Sequence, residues 1–127
     1  MRLEPIFILY FWREMGITYQ IRIDLKNNTA NFKQVTKHLN VQPLSKFSDV
    51  WIYEINESEK ALNFVDYFIK ILNPHFETLK TLNIHRNHIS FWILYEYQNQ
   101  CNLELPAKTL KLLGDSEIDL CISCWEK

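Results

Sequence analysis

The chain has 127 residues, 14 Lys plus Arg against 15 Asp plus Glu, and a formal charge of -1; that is the size of one domain with no electrostatic drive toward a polyanion, which argues against a multidomain enzyme and a generic nucleic-acid binder. Only 2 glycines are present, too few for a loop whose backbone N–H groups cradle phosphate, so Rossmann and P-loop chemistry are set aside. With 47% apolar and 14% aromatic residues the chain can build a core without a disulfide or a structural metal.

The first element is an apolar run, Pro5 to Trp12, behind Arg2 and ahead of Arg13-Glu14. It has no small-x-small cleavage site and is too short to cross about 30 Å of hydrocarbon, so no membrane role is expected. Its aromatic and β-branched residues predict a strand over Ile6 to Trp12; the alternative is an extension ahead of a start at Met15. Each large apolar side chain buried there contributes about 1.5–3 kcal/mol, so a chain starting at Met15 is expected to be clearly less stable in a denaturant titration. Equal stability would remove the run from the domain.

Ile17, Tyr19, Ile21, Ile23 and Leu25 alternate with polar residues, which predicts a half-buried strand. Lys26-Asn27-Asn28-Thr29 supplies a turn, and Phe32, Val35 and Leu39 recur at helical spacing until Pro43 forbids continuation. Val50 to Ile55 predicts a second strand, followed by a capping box formed by Asn56 and Glu59. The apolar stripe Leu62, Val65, Ile69, Leu72, Phe76 and Leu79 keeps its phase through Pro74, predicting a kinked helix or two helices joined at a capping Asn73. His88 to Gln98 returns to period two with apolar residues on both faces, the pattern of a central strand. Pro106 opens a short helix through Leu110 and Leu113, Gly114 is placed to end it in a left-handed conformation, and Ile118 to Cys124 closes the chain as a strand. Together these elements predict a single α+β domain over residues 1–127: an antiparallel-rich sheet of four or five strands with helices mainly on one face.

The order and spacing of Tyr19-Gln20-Ile21-Arg22-Ile23, His38-Leu39-Asn40-Val41-Gln42-Pro43, Trp51 and Leu110-Lys111-Leu112-Leu113-Gly114 before Ile118-Asp119-Leu120 resemble a bacterial domain-of-unknown-function family, the one numbered 4279. The resemblance covers most of the chain from Ile17 onward, implies a ferredoxin-like α+β sandwich and hands over no catalytic residue, since none is established for the family. Small domains of this look also resemble immunity proteins, which sit in the cytosol and block a partner toxin. That likeness is of fold and lifestyle.

Three cysteines, Cys101, Cys121 and Cys124, fit a reducing cytosol better than a disulfide framework. A tetrahedral zinc shell from His85, His88, Cys121 and Cys124 has the right residue types. It would gain from antiparallel neighbours that bring His88 toward Cys124, but residues i and i+3 of one strand face opposite sides, which favours Cys124 as a small core residue and the histidines as loop residues. The cysteine pair sits on a closing strand, without the helix N-terminus that would lower a thiol pKa in a thioredoxin-like site. Ser48-Asp49 and Ser58-Glu59 read as turn and cap residues rather than parts of a nucleophilic site. No metal or cofactor is expected.

The acidic stripe Asp115, Glu117 and Asp119 is the sharpest surface feature. Alternate strand positions put Glu117 and Asp119 about 7 Å apart on one face, and Asp24 joins them if its strand is a neighbour. Such a cluster suits a basic protein partner, for example a nuclease-type toxin, with Trp51 or Trp92 as aromatic anchors. The expected function is therefore a non-enzymatic immunity-type inhibitor acting as a monomer or weak dimer; the alternative is a small-ligand-binding or regulatory domain.

Overall fold

Period-two alternation sets the first strand, β1 (Ile17–Asp24), in a computed structural model that describes residues 16–44, 47–56 and 63–127. Tyr19, Ile21 and Ile23 are buried on one face of β1. A short 3-10 turn, Thr29–Asn31, leads into helix α1 (Phe32–Leu39), which buries Val35 and Leu39. Asn40 ends the helix at φ 55, donating its backbone N–H to the Thr36 carbonyl at 2.9 Å; asparagine tolerates that left-handed conformation well. Strand β2 (Val50–Asn56) follows. The expected strand over Ile6–Trp12, and Glu59 of the expected capping box, lie outside the described residues.

The long apolar stripe forms helix α2 (Phe64–Leu72), a 3-10 turn Asn73–His75 and helix α3 (Phe76–Thr81). Asn73 is not the N-cap expected of it: at φ -54 and ψ -43 it is itself helical and closes α2 by donating its backbone N–H to the Ile69 carbonyl, so the chain passes Pro74 by tightening one turn. Strand β3 (Ile89–Tyr97) and helix α4 (Ala107–Asp115) come next, and strand β4 (Asp119–Glu126) closes the order.

The sheet runs β2-β1-β3-β4. β1 pairs antiparallel with both β2 and β3, placing Ile21 opposite Tyr53 on one side and Phe91 on the other. β3 and β4 are parallel, with Ser90 opposite Asp119 and Tyr95 opposite Cys124. The helix between these two strands is the crossover that a parallel pair requires. This is an α+β arrangement on a mostly antiparallel, open, mixed sheet. β3 is central, as its two-sided apolar pattern predicts.

One hydrophobic cluster joins the buried residues of every helix to a single sheet face. Phe68 of α2 meets Phe91 of β3 edge to face, ring centroids 5.1 Å apart, and Tyr19 stacks on Phe64 at 4.3 Å. The opposite face carries polar ladders instead. Gln20 donates to Glu54 at 2.6 Å, Arg22 donates to Gln20 at 2.7 Å, and the Arg22 guanidinium lies 3.9 Å from the Trp92 ring centroid. Burial lowers the Arg22 pKa, opposed by the charges of Cys121 and Glu54. Among the described residues no helix is long and apolar enough to cross a membrane.

Candidate partner-binding edge

The turn from α4 into β4 determines where the acidic residues stand. α4 continues through Gly114, which does not take the left-handed conformation expected of it. Glu117 takes it instead, at φ 57. The Glu117 N–H donates to the Gly114 carbonyl at 3.1 Å and the Ile118 N–H to the Leu113 carbonyl at 3.3 Å, the paired bonds of a Schellman motif, with Leu113 and Ile118 both buried. The same motif closes α3, where Asn83 at φ 62 is left-handed and Ile84 bonds back to Leu79. Helix termination follows the apolar pair that can close over it, rather than the nearest glycine.

A carboxylate thus occupies a position where glycine is preferred. Glu117→Gly is expected to raise folding stability by about 1 kcal/mol, because glycine adopts this conformation without the steric cost of a Cβ. Chemical denaturation checks this; a loss of stability would mean that the Glu117 side chain itself holds the turn.

Glu117 and Asp119 line an open cleft of roughly 530 Å³ together with Phe76, Glu77, Lys80, Ile84, His85, Arg86 and Asn87. Glu117 precedes β4 rather than belonging to it, and Asp119 is the first residue of the strand. The Arg86 guanidinium donates to the Ser116 carbonyl and sits 3.5 Å from the Phe76 ring centroid, clamping the α4–β4 turn against α3. Asp115 stands apart, bonded to Lys111 at 2.8 Å one helical turn earlier. Asp24 does not join the acids: β3 lies between β1 and β4, so the strands carrying Asp24 and Asp119 are not neighbours.

The two tryptophans separate. Trp51 is fully buried, its indole N–H donating to Thr36 at 3.0 Å, so a surface at this edge is carried without it. Trp92 is half-buried on the face opposite the described helices, under Arg22, with its N–H donating to Ser90 at 2.9 Å. Two residues outside the candidate set are the most exposed apolar side chains of β4: Ile122, which strand alternation predicts to point inward, at 47%, and Trp125 at 44%. Among the described residues β4 is an outer strand of the sheet with no strand beyond it, whereas on the other outer strand the Ile52 carbonyl accepts from the Leu44 N–H at 2.8 Å.

The zinc arrangement does not form. Because β3 and β4 are parallel, His88 is brought to the start of β4 while Cys124 lies near its end, opposite Tyr95. His85 and His88 bind one another's turn: the His85 N–H donates to His88 Nδ1 at 3.0 Å, and His85 Nε2 bonds Asn83 at 3.1 Å. Among the described residues no group of three or more His, Cys, Asp or Glu side chains is arranged to hold a metal. Cys124 is exposed rather than in the core, and Cys101 lies beside it.

No family model, curated protein or solved structure matches this chain.

Proposed function

We propose that the protein is a non-enzymatic binding domain, an immunity-type inhibitor that covers the active site of a basic, nuclease-type toxin with its β4 edge. The observation that carries this reading is the combination on β4, an outer strand among the described residues, of Ile122 and Trp125, both large and exposed, with Glu117 and Asp119 at its start. An edge strand with exposed hydrophobics invites pairing with another chain, and natural proteins otherwise blunt such edges. Two carboxylates beside it favour a positively charged partner and disfavour acidic ones. The ferredoxin-like sandwich, the family resemblance, a cytoplasmic location and a monomeric or weakly dimeric state belong to the same reading. It is tested by titrating the purified chain with the product of the gene immediately upstream: a stoichiometric complex that inhibits that product's activity is expected, and absence of binding rejects the reading.

The cleft favours one alternative. Its volume lies within the range of small-molecule sites, and Phe76 and Arg86 offer a flat apolar and cationic wall. A metabolite that raises the melting temperature, in a protein that ignores the upstream gene product, would select the ligand-binding reading.

A further inference from the structure

We propose that Cys101 and Cys124 are a modification site, a dithiol that closes to an intramolecular disulfide when it meets a low-molecular-weight disulfide such as oxidised glutathione. Cys101 lies in the connection between β3 and α4, Cys124 lies near the end of β4, and their Sγ atoms are 3.3 Å apart. A disulfide bond is about 2.05 Å long, so the sulfurs need to approach by little more than an ångström. One partner sits on a surface connection that can supply this movement. Cys121 takes no part: it is opposite Trp92, on the other face of the strand from Cys124.

The geometry also assigns roles. The Cys101 thiol donates its hydrogen to the Cys124 sulfur, and that bond, followed by desolvation and the charge of Cys124, raises the Cys101 pKa. Cys124 is the exposed member and Cys101 the more sheltered. Cys124 as thiolate therefore attacks one sulfur of glutathione disulfide; the S–S bond breaks and one glutathione leaves as a thiolate that takes up a proton. Cys101 then loses its proton to solvent and attacks Cys124 Sγ, expelling the second glutathione. Two protein thiols are oxidised to one disulfide, and one glutathione disulfide is reduced to two thiols. The new bond ties the connection bearing Leu103 and Leu105, which pack against the core, to strand β4. The inference does not depend on the partner proposed above.

The test is incubation of the native full chain with oxidised glutathione, alkylation of the remaining thiols and peptide mapping without reduction. A Cys101–Cys124 link with Cys121 alkylated is expected, reversed by dithiothreitol. Cys101→Ser should retain glutathione on Cys124, and Cys121→Ser should form the link at an unchanged rate. The oxidised chain should melt higher by on the order of 10 °C, because the link constrains the unfolded ensemble. A link through Cys121, intermolecular dimers as the main product, no link after prolonged exposure or a lowered melting temperature would each overturn the proposal.

Discussion

Replacing Trp51 by alanine is expected to cost about 3–5 kcal/mol of folding free energy, the range for deleting a large aromatic side chain from a closed core. The side chain has no exposed surface and joins the cluster that ties α1 to the sheet, so the space it leaves cannot be filled by solvent without exposing apolar walls. Against a total stability of about 5–15 kcal/mol for a natural domain, that loss leaves a marginal fold. Trp51→Phe separates packing from hydrogen bonding. Thr36 keeps a partner after the indole N–H is gone, because its hydroxyl already donates to the Phe32 carbonyl at 3.1 Å. The phenylalanine variant is expected to lose about 1 kcal/mol for the hydrogen bond plus the cost of a smaller ring, and to remain folded. Urea titration measures both. A Trp51→Ala protein as stable as the parent would contradict its place in the core.

The second large effect concerns association. Replacing Glu117 and Asp119 together by lysine changes the formal charge from -1 to +3 at the start of the proposed binding edge. Both residues are exposed, so folding stability is expected to change by no more than about 0.5 kcal/mol. Lysine inherits the left-handed strain at position 117 and gains none of the relief that glycine brings. If a basic partner is steered to this edge, the association rate at low salt should fall at least about tenfold, because rim charges act mainly on encounter. At 1 M salt the Debye length is about 3 Å and most of the difference should vanish. Stopped-flow or surface-binding kinetics with the upstream gene product over a salt series read this out. An unchanged association rate removes the acids from the interface.

Strand positions were legible because their alternation is clean: β1 runs Ile17, Tyr19, Ile21 and Ile23 against Thr18, Gln20, Arg22 and Asp24. Which tryptophan faces out was not. Val50-Trp51-Ile52-Tyr53 is apolar in both phases, so periodicity carries no information about which side is buried; only pairing with β1 places Trp51 beside Ile23 on the helix side. The direction of β4 had a usable sign in the helical segment between it and β3, since a helical crossover is the ordinary connection of a parallel pair. Reading the pair as antiparallel would have brought His88 to Cys124, and reading it as parallel removes the metal site. The left-handed residue after α4 was likewise marked by the Leu113 and Ile118 spacing rather than by Gly114. The nearness of Cys101 to Cys124 has no local trace, because it depends on how the β3–α4 connection passes the edge strand.

Amide hydrogen exchange of the chain, free and bound to the upstream gene product, tests the central claim most directly. Protection is expected to rise on binding along Asp119–Glu126 and at Glu117, with the outward-facing amides of β4 slowed most. Protection confined to β2 or to the helix layer, with β4 unchanged in a saturated complex, would contradict a partner seated on this edge.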